Sequence, residues 1–199
     1  MFKLKLPTDS RWVNIAEKNL QEILTDHAYC EQKAASSAIS FIVSFPEHLE
    51  LVEAMADLSR EEMEHFQMVV EKLKERKLEL GRERKDPYVH DLQKFFVNGG
   101  SRKQNLINRL LLAAMIEARS CERFRILSEN IQDADLAEFY AKLMKSEANH
   151  YSMFLQFAKK FGADASLGPV VDVDQLWNDF LIFEGEVMKK YGVNEQMHG

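Results

Sequence analysis

Apolar residues recur every three or four positions over most of this chain, the period of a helix with one buried face. From Trp12 to about Ser44 the stripe runs through Ile15, Leu20, Ile23, Leu24, Ala28, Ala34, Ala35, Ala38 and Phe41. Pro46 falls where a second helix is expected to start, because a first turn has no use for the missing N–H. That helix continues through Leu49, Val52, Met55, Leu58, Phe66, Val69 and Leu73 and fades near Lys77. Residues 78–101 are interrupted by Gly81, Pro87 and the Gly99-Gly100 pair, with one short amphipathic piece, "YVHDLQKFF", between the breaks. A third helix is expected over roughly Arg102–Asn130 and a fourth over Ala134–Phe161, with Asp133 as the N-cap of the latter. A last amphipathic stretch, about 172–190, is expected to pack on the outside.

These elements predict an all-α fold: a four-helix bundle, about 12–161, with an extra C-terminal helix, the whole of 1–199 forming a single domain. The stretch between the second and third helices is long for a loop. A bundle whose second and third helices run parallel needs such a crossover, because the chain must return the full length of a helix.

Composition narrows the class further. The 199 residues are 46% apolar, enough for one substantial core, and contain only four prolines and eight glycines. The longest apolar run, Leu110 to Ile116, is far too short for a membrane span. The N-terminus, "MFKLKLPTDS", lacks the apolar centre of a signal peptide, so a cytoplasmic protein is expected, with no membrane partner. Cys30 and Cys121 are the only cysteines and are read as reduced thiols. The net charge of −6 argues against indiscriminate nucleic-acid binding. Residues 71–103 run against that trend, with ten Lys/Arg and six acidic residues.

Charged residues inside the apolar stripes carry the candidate chemistry. Glu-x-x-His occurs three times, at Glu62/His65, Glu147/His150 and Glu195/His198, and the last has no apolar stripe around it. Glu62 shares its helix face with Met55, Leu58, Phe66 and Val69; Glu147 shares its own with Tyr140, Leu143, Met144 and Phe154. Glu64, by contrast, has Arg60, Glu61 and Gln67 as neighbours and reads as surface. The other two long helices each hold one glutamate in a comparable setting. Glu31 sits among Leu24, Ala28, Ala35 and Ala38, and Glu117 among Leu110, Ala113, Ala114 and Phe124. Glu122 is read as lying on a more polar side.

The spacings agree. Glu31 precedes Glu62 by 31 residues and Glu117 precedes Glu147 by 30. Each lies about fifteen residues from its hairpin turn, about 22 Å along its helix, so antiparallel partners hold their carboxylates at equal depth. The chain thus reads as one hairpin used twice: Glu, then Glu-x-x-His. Buried carboxylates are costly without a compensating charge. Four of them with two imidazoles suit two divalent cations, an arrangement that resembles the di-iron and di-manganese carboxylate sites of ferritin-like bundles. Mixed oxygen and imidazole donors favour iron, with manganese open. The ligand set alone leaves iron storage, peroxide disproportionation, radical generation and O2-dependent hydroxylation as alternatives.

A longer motif separates them. "IEARSCERFRIL" (116–127), with "SEANHY" (146–151) in an acidic chain of this length, resembles the MiaE family of tRNA-modifying hydroxylases, from Trp12 to about Asp179. The resemblance implies a ferritin-like non-haem di-iron monooxygenase that hydroxylates the isopentenyl side chain of 2-methylthio-N6-isopentenyladenosine in the anticodon loop. It implies Glu31, Glu62, His65, Glu117, Glu147 and His150 as ligands of two Fe ions, with O2 as co-substrate. Two electrons must then come from an external electron donor, a separate electron-transfer protein, since two isolated cysteines cannot hold a cluster. Ser120 and Cys121 either line the space beside the metals or are ordinary small core residues. Arg119, Arg123 and Arg125 either pair with helix acids on the surface or meet phosphate. The basic loop, with Arg82, Arg84, Lys85, Arg102, Lys103 and Tyr88, is the candidate contact for the tRNA anticodon stem-loop. A ferritin-like di-metal oxidase, peroxidase or iron-handling protein acting on a small molecule is the alternative.

Overall fold

A computed structural model describes residues 2–85, 87–96 and 99–191. Among them are seven α-helices, one short 3-10 turn and no strand. None of these helices is long and apolar enough to cross a membrane. The Glu195/His198 pair lies outside the described residues.

The chain separates into two compact units, one formed by residues 14–85 and the other by 2–13 with the described residues from 87 onward. The boundary after residue 13 falls within α1 (Trp12–Lys18), and α2 (Leu20–Ser44) follows after a single residue. The apolar stripe predicts one helix over 12–44. It is interrupted at Asn19, whose backbone leaves the helical range (φ −124°, ψ 41°) although its N–H still reaches the Ile15 carbonyl at 3.0 Å.

The first unit is a helical hairpin of α2 and α3 (Leu49–Glu75). Contrary to expectation, Pro46 does not open α3; it lies in the turn before it. The backbone N–H of Phe45 closes α2 on Phe41, and that of His48 donates to Phe45, so Pro46 takes the second position of a tight turn. On α3 the buried positions are Leu51, Met55, Leu58, Glu62, His65, Val69 and Leu73, an unbroken three-and-four stripe. Glu62 and His65 occupy two of its places. On α2 the equivalent stripe includes Ile23, Leu24, His27, Ala28, Glu31, Ala35, Ala38 and Phe41.

The second unit contains α4 (Pro87–Gln93), α5 (Arg102–Asn130), α6 (Ala134–Ala163) and α7 (Val173–Met188). Side-chain caps set three of the starts. Ser101 accepts from the Gln104 backbone, Asp133 from Asp135 and Leu136, and Asp172 from Gln175. The expected α5 bounds and the Asp133 cap therefore stand, and α6 runs two residues past Phe161. A close approach ends α6: a Cβ on Gly162 would meet Val173 Cγ2 at 2.5 Å, so the chain turns back only over a bare backbone. α7 packs on α4 and α6, with Phe180 stacked on Phe95. α5 is buried on every side from Glu117 to Phe124. The N-terminal segment, α4, α6 and α7 all belong to its unit, which explains why this helix has so little amphipathic pattern.

Candidate metal centre

Each unit gathers three of the six residues singled out in the sequence. In the α2–α3 hairpin, one ligand-type atom from each of Glu31, Glu62 and His65 lies within 4.8 Å of the others. His65 Nδ1 is 3.3 Å from Glu62 Oε2 and 3.9 Å from Glu31 Oε2. In the α5–α6 hairpin the same holds for Glu117, Glu147 and His150, with His150 Nδ1 at 3.9 Å from Glu147 Oε1. All six side chains are buried, and Glu62 completely so.

Local sequence explains this placement. Three residues along a helix turn the chain by most of one revolution, so Glu-x-x-His presents both side chains on one face. Because that face is the apolar stripe, the polar pair is carried inward with it. In both hairpins it is the histidine Nδ1 that faces the carboxylate.

The donor set of each triad fits a divalent cation. Two buried carboxylates of like charge disfavour each other's ionisation, and a cation between them removes that penalty. Two oxygen donors and one imidazole suit iron or manganese better than the sulfur-rich sites of structural zinc.

Comparison with known proteins now decides the family. A family model described as tRNA-(MS[2]IO[6]A)-hydroxylase (MiaE) matches residues 2–199. The chain belongs to the MiaE family. It is thus an enzyme of a tRNA-hydroxylase family. A Pseudomonas putida protein named tRNA 2-(methylsulfanyl)-N(6)-isopentenyladenosine(37) hydroxylase is 36% identical over 170 residues, 85% of this chain and 82% of that protein. A Salmonella typhimurium protein of the same name is 28% identical, across 81% of this chain and 77% of its own length. Among solved structures, a Synechococcus protein with aldehyde deformylating oxygenase activity superposes with a TM-score of 0.86 at 30% identity. That match covers 98% of this chain and 95% of the other. The all-α, ferritin-like fold expected from the sequence stands.

Other residues of this MiaE-family chain fall differently from their sequence reading. Ser120 and Cys121 are buried on α5, and the Cys121 thiol donates to the Met144 carbonyl at 3.1 Å. Burial, with the charge of Glu147 added, pushes that thiol up to about 12. Cys30 and Cys121 are both thiols, with no disulfide between them.

Among the basic residues, Arg82 and Lys85 are exposed and Arg102 is exposed at the start of α5. Arg84 is half-buried, its guanidinium 3.5 Å from Glu22. Lys103 is withdrawn from the tRNA-contact set. It is buried, and its ammonium donates to the carbonyls of Asp164, Gly168 and Pro169 at 2.7, 3.3 and 2.9 Å, using all three of its N–H bonds. Tyr88 is withdrawn as a base-stacking residue: its ring is fully buried and its hydroxyl donates to Glu184 at 2.9 Å.

A second buried charge cluster escapes the sequence reading. Arg119 is fully buried rather than a surface residue, and pairs with Glu122 and Glu184. It also donates to the Leu6 carbonyl at 3.1 Å. Glu122, read as lying on a polar side, is buried and accepts from the backbone and hydroxyl of Thr8 at 3.0 and 2.8 Å. Arg123 is also buried, with its guanidinium 4.5 Å above the Trp12 ring. Only Arg125, paired with Glu129 at 2.9 Å, matches the surface ion-pair reading. The one local signal is the i,i+3 complementarity of Arg119 and Glu122; the other partners lie more than sixty residues away in α7 and over a hundred away in the N-terminal segment.

Proposed function

We propose that this chain hydroxylates the isopentenyl side chain of 2-methylthio-N6-isopentenyladenosine in tRNA, and that Glu31, Glu62 and His65 hold one iron ion while Glu117, Glu147 and His150 hold a second. The observation that carries the substrate is the family match along 2–199, together with the names of the Pseudomonas and Salmonella relatives. Support for the metal reading comes from two triads of identical composition, each buried, each on one hairpin. Each unit carries half of this ligand set, so the whole chain is read as one functional domain.

Bound iron supplies the one-electron chemistry that O2 requires before it can oxidise an unactivated C–H bond. Overall, one oxygen atom of O2 enters the side chain and the other leaves as water, with two electrons and two protons consumed. The electrons come from a separate electron-transfer protein, since the chain has two isolated cysteines and no cluster motif. The chain's own task is positioning and exclusion of water. Apolar neighbours such as Leu58 and Val69 on α3, and Leu143 and Phe154 on α6, keep the triads dry.

Positive charge at Arg82, Lys85 and Arg102, with Arg84 beside them in sequence, is assigned to the phosphates of the anticodon stem-loop. With a tRNA substrate, a cytoplasmic site of action forms part of this proposal. The Synechococcus protein shows that this fold also serves a small-molecule oxygenase, which is the competing reading.

Mass spectrometry of tRNA nucleosides from cells with and without the gene tests the proposal. Loss of the hydroxylated prenyl-adenosine, with build-up of its precursor, is expected. An unchanged nucleoside profile in a strain that makes the prenylated base would remove the tRNA substrate and leave small-molecule oxidation.

A further inference from the structure

The two hairpins repeat one ligand pattern but differ one turn before the first glutamate. Four residues ahead of Glu31 stands His27; four ahead of Glu117 stands Ala113. His27 is fully buried, and its Nε2–H donates to Glu31 Oε1 at 2.6 Å. A carboxylate oxygen can only accept, so the proton on this bond belongs to the imidazole. The other oxygen, Glu31 Oε2, is the one that lies 3.9 Å from His65 Nδ1. Glu62 Oε2 lies 3.3 Å from the same nitrogen.

We infer that His27 is a positioning residue for Glu31: its ring N–H holds Oε1 and so turns Oε2 toward the metal-binding side of the α2–α3 triad. The inference rests on the two-metal reading above. Three features carry it. An i,i+4 pair on one helix is held in register by the backbone itself, so the contact does not depend on loop geometry. A charge-assisted bond of this length in a dry site is strong and directional. With Oε1 held by His27, the carboxylate plane of Glu31 is fixed and Oε2 is the oxygen turned toward His65 Nδ1. Ala113, at the equivalent place on α5, is no counterpart of this helix-borne donor.

Partners of this kind, standing behind a metal ligand, commonly change metal affinity by about 10- to 100-fold when removed. The test is anaerobic titration of the full chain with ferrous iron, followed by equilibrium binding and by ligand-field circular dichroism in the near infrared. Wild type is expected to take up two ions with two distinguishable sets of bands. His27→Phe keeps the ring volume and removes the donor. It should weaken one binding step about 10- to 100-fold and move one set of bands, leaving the other in place. His27→Gln, whose amide reaches a similar point, should recover both. If His27→Phe matches wild type in affinity and bands, or if Gln and Phe variants are equally impaired, His27 is only a packed core residue.

A crystal structure of the iron- or manganese-loaded wild-type chain decides the matter even where His27→Phe does not fold. Glu31 bound through Oε2, with Oε1 still on His27, is the expected result; a metal-bound Glu31 that has left His27 would overturn it. Wild-type protein that takes up no ferrous iron would instead overturn the two-metal reading, and this inference with it.

Discussion

Arg119 on α5 and Glu184 on α7 form an ion pair from which water is wholly excluded, and Glu122 closes the other side of the guanidinium. One buried cation therefore serves two buried carboxylates. Removing one partner from such a cluster costs about 3–5 kcal/mol, because the charge left behind is uncompensated. The penalties should not be equal. Arg119→Leu strands two carboxylates, whereas Glu184→Leu leaves Arg119 still paired with Glu122. Urea unfolding should rank the arginine variant as clearly the less stable. Equal losses would mean that the guanidinium does not compensate both carboxylates.

Tyr88 gives this cluster an alkaline limit. Burial, with the negative charge of Glu184 added, raises its hydroxyl well above the ordinary tyrosine range. The folded chain thus holds a proton that the unfolded chain releases near pH ~10. Below that pH both states are protonated and the group contributes nothing to pH dependence. As pH rises past it, ionisation favours the unfolded chain and stability falls. Comparing wild type with Tyr88→Phe at about pH 8 and about pH 10.5, on either side of the ordinary tyrosine value, isolates the effect. The Phe variant should start lower by about 1 kcal/mol for the missing hydrogen bond, and should lose less on going alkaline. Parallel losses would show that Tyr88 ionises normally.

The residues legible from sequence are those whose environment is set by their own helix. Glu31, Glu62, His65, Glu147 and His150 lie in stripes with a three-and-four period, so their neighbours at those offsets announce their burial, and Glu117 is announced by Leu110, Ala114 and Phe124 although α5 is buried all round. The Asp133 cap and the bounds of α5 are legible for the same reason. Arg119, Glu122, Tyr88 and Lys103 are not, because what covers them comes from elsewhere in the chain. Thr8 and Leu6 reach Arg119 and Glu122 from the N-terminal segment, and Glu184 reaches Arg119 from α7. Short-range pattern reads such residues as surface. Asn19 differs again: the helix breaks there in backbone conformation, which apolar periodicity does not register.

Lys103 separates structural from recognition roles among the basic residues. Its ammonium satisfies three carbonyls where α6 ends and the chain turns back. Lys103→Met should destabilise the fold by about 1–3 kcal/mol through loss of charge-assisted bonds, while the folded variant keeps its affinity for tRNA. Arg82→Glu, Lys85→Glu and Arg102→Glu together should do the opposite. Exposed charges add little to stability, but every phosphate left without its cation lowers affinity and flattens the salt dependence. Filter binding of prenylated tRNA across a range of salt concentrations measures both. A triple variant with wild-type affinity and salt slope would take these residues out of recognition.

Glu62 offers the sharpest test between a metal centre and an ordinary hydrogen-bonded core. It is fully buried, with Glu31 and His65 as its companions in the α2–α3 triad. If Glu62 existed to bond His65, Glu62→Gln would weaken that bond, and the metal-free chain would lose about 1–3 kcal/mol. If it exists to hold a cation, the metal-free wild type carries an uncompensated repulsion that the neutral amide relieves. Glu62→Gln should then equal or exceed wild type in the presence of a chelator. Adding ferrous or manganous ion should reverse the order. A ligand at about a hundred times its dissociation constant stabilises the folded state by about 2.7 kcal/mol, and the variant should gain much less. Thermal unfolding of both proteins near neutral pH, chelated and metal-loaded, gives four midpoints. A crossing of the two pairs supports the metal centre; a variant that is the less stable by the same margin in both conditions would assign Glu62 to the core alone.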